Sequence, residues 1–206
     1  MGGAHVFPGG RVDEADRDAD RSWCRGIEQA EQRLSRLAPR DGVGYYVAAA
    51  RELFEEAGVL LAIDRGGRPP MLDRDDARAR FLAYRTEVVE DARRFRGVLD
   101  AEALTLDLER LVLCAHWVTP ARFARRFDTR FFLARMIDGQ TAVHDRGETT
   151  DSLWVAPAEA LARDRNGTLQ LPPPTRHMLD ELTAFHSATA ALAAYAAREI
   201  ERHEPR

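Results

Sequence analysis

Residues 51–59, RELFEEAGV, carry three glutamates and one arginine within a predicted helix. At about 100° per residue, Glu52, Glu55 and Glu56 share an arc of roughly 100°, and apolar residues cover the opposite side. Neighbouring carboxylates about 6 Å apart repel each other by roughly 2 to 3 kcal/mol at an effective dielectric constant near 20. Arg51, one turn before Glu55, offsets only part of that repulsion, so the face needs a further positive partner.

Two interpretations fit such a face. Carboxylate oxygens that leave room for water suit Mg²⁺ or Mn²⁺, which proteins usually hold with a few carboxylates together with substrate phosphates. The alternative is a solvated acidic helix surface, which is the commoner origin of a bare ExxEE pattern. The residues around the pattern have to distinguish the two.

The helix with the glutamates is predicted over Tyr45–Ala57, because apolar residues recur at helical spacing and Gly58 is a typical C-terminal stop. It follows a strand end and turn in AHVFPGG and a helix at 22–38. The later predicted elements are a strand at 59–63, a charged helix at 73–96, strands in LERLVLCAHWVTP, RFFLARMI and SLWVA, helices in PAEALARDRNG and LPPPTRHMLDELTAF, and an alanine-rich helix at 187–203. We expect a single domain, 1–206, whose last segment, 183–206, is a C-terminal helix.

The composition of the chain limits the classes of function that it can have. A hydrophobic content of 45% over 206 residues is enough to fill a core, and a net charge of −4 gives no basic surface for nucleic acid. Cys24 and Cys114 belong to no CxxC pair, and no run approaches the roughly 18 apolar residues of a membrane span. We therefore expect a soluble, cytoplasmic protein with reduced thiols that binds neither nucleic acid nor membrane.

With VFPGG upstream and GV directly after it, the glutamate pattern resembles the box of the Nudix hydrolase family. The second half of that box matches at every specified position: Arg51, Glu52, Leu53, Glu55, Glu56, Gly58 and Val59. The first half matches as Gly10, five residues, then Asp16, where the family usually has glutamate. With this context, the acidic-surface alternative becomes the weaker one.

Thirty-four residues separate Asp16 from Arg51 where the family has seven, so a helical insertion within 17–50 splits the box. This arrangement resembles the Nudix branch that includes peroxisomal coenzyme A diphosphatases. HWVTP, RRFDTRFFLA and WVAPAEAL resemble the same branch, so the likeness covers most of residues 4–182. A cap over the pocket and a homodimer contact are both open as roles of the insertion.

The resemblance implies an α/β (α+β) fold, a mixed β-sheet sandwiched between helices, with the box as a loop, helix and loop. It implies that Glu55 and Glu56 are the central ligands of Mg²⁺ or Mn²⁺. Glu52 is a further ligand or the group that takes a proton from the attacking water, and the carbonyl of Gly10 completes the shell.

The resemblance also gives roles to residues outside the three glutamates. Arg51 orients a box carboxylate by a bidentate pair with Asp16 or Glu55, and Asp16 is counted with the metal site. Glu148 lies where many Nudix proteins place an extra acidic ligand or base; an ordinary loop glutamate is the alternative.

The sequence indicates the roles of four further residues less specifically. Arg126 and Arg130 either bind substrate phosphates or pair with local acids. We expect Trp117 and Trp154 to belong to the scaffold.

The sequence has nine residues before Gly10, whereas Nudix domains normally have a few tens before the box. The expected consequence is that N-terminal strands are missing and sheet edges lack partners. We expect a chain extended upstream in frame to be more stable and more active.

The implied reaction is metal-dependent hydrolysis of a phosphoanhydride in a nucleoside diphosphate linked to another group, with coenzyme A or acyl-coenzyme A as the expected small-molecule substrate. A nucleotide sugar, a dinucleotide or NADH would keep the same chemistry. A non-catalytic ligand sensor or truncated relic would keep only the fold. The intact Arg51, Glu52, Glu55 and Glu56 argue against that last alternative.

Overall fold

The computed structural model describes residues 3–35, 37, 41–144 and 151–205. Its α-helices are α1 (Ile27–Leu34), α2 (Gly42–Ala57), α3 (Asp75–Glu90), α4 (Arg94–Ala101), α5 (Pro157–Arg165), α6 (Pro173–Leu182) and α7 (Ala188–Ala197). Its strands are β1 (Cys24–Arg25), β2 (Ala62–Ile63), β3 (Thr105–Asp107), β4 (Val112–Val118), β5 (Asp128–Leu133) and β6 (Arg202–His203). Helices alternate with strands that form mixed sheets, which confirms the predicted α/β class.

The contacts divide the chain into two compact units. The box unit comprises Pro8–Leu111 and Ala134–Ser152, and the hairpin unit comprises Met1–Phe7, Val112–Leu133 and Leu153–Arg206. That the whole chain forms a single domain, with the insertion that the sequence indicates, stays a prediction.

The box unit is built on a three-stranded sheet in which β3 lies between β1 and β2. β1 runs parallel to β3, and β2 runs antiparallel to it, with Leu106 opposite both Cys24 and Ala62. The apolar side of α2 is buried, and the ring of Phe54 lies 6.0 Å from the ring of Phe95 in α4. This packing leaves the acidic side of α2 as the side available to a ligand.

The hairpin unit contains the second sheet, with β4 between β5 and β6. β4 and β5 are antiparallel with an irregular register between Leu113 and Ala115, and β6 is parallel to β4. Cys114, Met178 and Tyr195 form a buried cluster that joins β4 to α6 and α7. Apolar runs of the sequence therefore give the two strands of the hairpin as predicted.

Several predicted boundaries are wrong. The helix predicted at 73–96 is two helices, α3 and α4, because Asp91 has extended backbone angles and its carboxylate accepts from the backbone N–H of Arg93. Of the helix predicted at 22–38, the residues that the structure describes form only α1; Gly26, with a φ of 85°, separates α1 from β1.

Two predictions near the C-terminus are also wrong. SLWVA is not a strand, and Trp154, expected in the scaffold, is 76% exposed. The helix predicted at 187–203 ends at Ala197, and β6 follows it. Among the described residues, no helix combines the length and apolar character needed to cross a bilayer.

The two cysteines give a test of burial in each unit, since Cys24 lies in the box unit and Cys114 in the hairpin unit. Burial raises the pKa of both thiols to about 12. The reactive thiolate is therefore about one part in 10,000 at pH 8. We expect Ellman's reagent to label neither thiol in the native protein and both in denaturant. Rapid labelling of either thiol in the native protein would contradict the packing of its unit.

Candidate functional site

The predicted site residues lie at the C-terminal end of α2. Glu52, Glu55 and Glu56 fall in the last two turns of this helix, and its first turn holds no acidic residue. Because the C-terminal end of a helix carries a partial negative charge, carboxylates are less favourable there than at the N-terminal end. The placement therefore requires positive charge close to the last two turns.

Arg51 supplies the first part of that charge. It is 4% exposed and its donors are fully engaged. Nε and Nη2 donate to the two carboxylate oxygens of Asp16 at 2.8 and 2.9 Å. Nη1 donates to Glu52 at 3.0 Å and to Glu55 at 2.7 Å, and Nη2 also donates to the carbonyl of Arg11 at 2.9 Å. One guanidinium thus holds three carboxylates.

Asp16 reaches Arg51 although it is one methylene shorter than the glutamate usual in the Nudix box. It lies in a 3₁₀ turn, Ala15–Arg17, is 2% exposed, and accepts from the backbone N–H of Asp13 at 2.7 Å. The sequence left Asp16 and Glu55 as alternative partners of Arg51, and the structure gives Arg51 both. Both carboxylate oxygens of Asp16 bind Arg51. That Asp16 also binds the metal ion directly stays a prediction.

The charges of this network shift two pKa values. Burial by itself lowers the pKa of Arg51, but hydrogen bonds and charge attraction from Asp16 and Glu55 outweigh burial and raise the pKa above its ordinary value. Burial raises the pKa of Glu55; Arg51 opposes this, and the charges of Glu52 and Asp16 add to it. Glu55 therefore holds a proton more readily than an exposed glutamate does. A nearby cation would lower the pKa of Glu55 again.

The loop at Gly9 and Gly10 lies against the glutamates. The backbone N–H of Gly9 donates to Glu56 Oε2 at 3.1 Å. A Cβ at Gly10 would overlap the carboxylate of Glu52. Only glycine therefore allows the backbone to come this close to the Glu52 side chain. The two halves of the box pattern are thus joined in space, on one side of α2.

These residues fit a divalent cation in their chemistry. The donors are all oxygens and the three glutamates are partly exposed. Three carboxylates bind Arg51 and that of Glu56 lies on the same helix end, so negative charge is in excess. As placed, the described residues hold no group of three or more His, Cys, Asp or Glu side chains arranged around one ion. The glutamates instead face Arg51 and the glycine loop.

The sequence predicts three further site residues that do not belong to the box. Glu148 is outside the described residues. Arg126 and Arg130 are in the hairpin unit, where Nη2 of Arg126 lies 3.3 Å from Glu204 and Nη1 of Arg130 lies 2.8 Å from Asp128. Both arginines pair with local acids, as one interpretation of the sequence had it, and their binding to substrate stays a prediction.

The sequence missed one residue of this region. Arg85 of α3 donates from Nε to the carbonyl of Glu55 at 2.6 Å. Nothing marks it in the sequence, because α3 is rich in charged residues and a buried arginine there looks like a solvated one. Only the packing of α3 beside α2 identifies it.

Comparison with known proteins gives consistent matches. Residues 26–182 match the family model described as the NUDT19 Nudix domain. The chain is 31% identical to "Acyl-coenzyme A diphosphatase NUDT19" of Homo sapiens and 27% identical to "Putative nudix hydrolase 7" of Caenorhabditis elegans, over 91% and 86% of its length. The chain spans 58% of the human relative and 50% of the nematode relative.

One solved structure adds a fold comparison. The crystal structure of a NUDIX hydrolase from Alicyclobacillus acidocaldarius superposes with a TM-score of 0.71 at 26% identity. The match covers 93% of this chain and 81% of that chain. The likeness therefore extends over both units and not only over the box.

The Arg51 network makes a stability prediction. Arg51→Met leaves Asp16 buried without its partner, so we expect a loss of about 3 to 5 kcal/mol in the free energy of unfolding. Arg17→Met is the control, because Arg17 makes an exposed pair with Asp41 at 3.2 Å, worth no more than about 1 kcal/mol. Urea unfolding measures both. Equal losses for the two variants would show that the Arg51 network contributes nothing special.

Proposed function

Because the chain belongs to the NUDT19 Nudix domain family, we propose that it is a hydrolase that cleaves a phosphoanhydride in a nucleoside diphosphate linked to another group. The observation that carries this proposal is the network in which Arg51 holds Glu52 and Glu55 beside the glycine loop, with negative charge in excess. A solvated acidic surface needs no buried arginine beneath it.

We propose coenzyme A or an acyl-coenzyme A as the substrate. The relatives from Homo sapiens and Gallus gallus are both named acyl-coenzyme A diphosphatase, and they are 31% and 30% identical to this chain. A nucleotide sugar, a dinucleotide and NADH are the competing substrates, because they contain the same diphosphate linkage. A cytoplasmic location, a homodimer and the lack of nucleic-acid binding stay predictions from the sequence.

Nudix hydrolases generally use divalent metal ions, and we propose Mg²⁺ or Mn²⁺ here. Glu55 and Glu56 would hold the ion with the carbonyl of Gly10, and Glu52 would be a further ligand or the proton acceptor. When bound, the ion supplies positive charge to the phosphate oxygens on which negative charge develops during hydrolysis.

The chain's own residues prepare the site. Arg51 holds Glu52 and Glu55 by hydrogen bonds from its Nη1, and its charge opposes the rise that burial causes in the pKa of Glu55. The backbone N–H of Gly9 holds the carboxylate of Glu56 by a hydrogen bond. Glu52 lies against the backbone of Gly10 and accepts from Arg51, and in this proposal its carboxylate takes a proton from a water molecule directed at a phosphorus atom.

Substrate turnover tests the proposal directly. We expect the protein to hydrolyse coenzyme A or an acyl-coenzyme A faster than ADP-ribose, UDP-glucose, a diadenosine polyphosphate or NADH, measured as kcat/KM in Mg²⁺ and in Mn²⁺. Activity should disappear in EDTA and return when the ion is restored. A better substrate outside the coenzyme A compounds would remove the substrate assignment, and EDTA-resistant hydrolysis would remove the metal chemistry.

Two glutamates separate an enzyme from a ligand sensor. We expect Glu55→Gln with Glu56→Gln to lower kcat by at least about 100-fold, since even groups behind a metal ligand contribute about 10- to 100-fold. The matched control is Glu28→Gln with Glu31→Gln, two exposed glutamates on α1. Wild-type turnover by the first double variant would contradict the assignment, whereas metal-independent ligand binding without turnover in the unsubstituted protein would favour a sensor.

A further inference from the structure

The C-terminal end of α2 is held by groups from distant parts of the chain. Gly58 ends the helix in a left-handed conformation, with a φ of 68°, and its N–H donates to the carbonyl of Phe54 at 2.9 Å. The carbonyls of the last turn then lack partners within the helix. Arg85 Nε donates a hydrogen bond to the carbonyl of Glu55 at 2.6 Å. The N–H of Val143 donates one to the carbonyl of Ala57 at 2.9 Å.

Arg85 is buried and is bound to the C-terminal end of α2. It is 6% exposed, although arginine is rarely buried unless its charge and its donors are satisfied. A Cβ at Gly58 would lie 3.2 Å from Nη1 of Arg85, so the glycine that ends α2 also leaves room for the guanidinium. The guanidinium therefore packs directly against the helix end.

The charge of Arg85 suits this position. The end of a helix attracts a cation, and here the last two turns also carry the carboxylates of Glu52, Glu55 and Glu56. Glu55 is thereby fixed twice: Arg51 binds its side chain at 2.7 Å, and Arg85 binds its main-chain carbonyl. One buried arginine thus contacts the carboxylate of Glu55, and a second contacts the main chain from which that side chain extends.

We propose that Arg85 is a positioning residue for the divalent-ion site. By holding the main chain at Glu55, it fixes the directions in which the side chains of Glu55 and Glu56 leave the helix. This inference rests on the proposed function, since it assigns Arg85 to the same ion. It acts through the helix end and does not touch the ion or the substrate.

The test compares Arg85→Met with Arg80→Met. Arg80 lies on the same helix and binds Glu102 at 2.6 Å on an exposed surface, so its loss serves as the matched control. The readouts are the dissociation constant of Mn²⁺ by calorimetry, kcat and KM, and the melting temperature. We expect Arg85→Met to weaken Mn²⁺ binding by about 10-fold or more and to lower kcat with little change in KM, while Arg80→Met changes neither.

Arg85→Lys gives a second variant for the case in which Arg85→Met does not fold. Lysine keeps the charge but lacks the planar donor geometry, so Mn²⁺ affinity should fall between those of the wild type and Arg85→Met at an unchanged melting temperature. Wild-type Mn²⁺ affinity and kcat in either folded Arg85 variant would overturn the inference. If the unsubstituted protein itself neither binds Mn²⁺ nor hydrolyses a diphosphate, the proposed function fails, and this inference fails with it.

Discussion

The buried guanidinium of Arg51 joins parts of the chain that are far apart in sequence. Its bidentate pair with Asp16 joins residues 35 positions apart, and its Nη1 binds Glu52, the next residue, and Glu55, one turn further along α2. A buried charge without a partner is strongly destabilising, so the arginine and its carboxylates are stable only together. Because this contact is made in space, it does not depend on how many residues lie between Asp16 and Arg51 in the sequence.

The same interaction explains how carboxylates can crowd at the unfavourable end of a helix. Arg51 offsets their repulsion from within α2, Arg85 of α3 binds a main-chain carbonyl at the negative end of the helix, and the glycine loop donates to Glu56. Negative charge remains in excess after these contacts, which is the condition under which a divalent cation adds stability. The chain belongs to the NUDT19 Nudix domain family, and the phosphoanhydride cleavage proposed for it would use the cation that such an excess of charge attracts.

Local signals in the sequence predicted the elements that carry the site. Helical periodicity and Gly58 gave α2 to its last residue, and apolar runs gave β4 and β5. Features that depend on distant partners were missed, since a two-residue strand such as β6 exists only through its pairing with β4. Asp91 divides a helix through its own side-chain hydrogen bond, and Arg85 is distinguished from its charged neighbours only by what packs on it.

The most direct test of the account is the position of the ion. Crystals of the protein soaked in Mn²⁺ should give an anomalous peak within roughly 2 to 2.5 Å of carboxylate oxygens of Glu55 and Glu56, on the side of α2 that faces Gly10. Such a peak would show that the excess negative charge beside Arg51 serves to bind a cation. Full Mn²⁺ occupancy at other sites with no peak beside these glutamates would contradict the account.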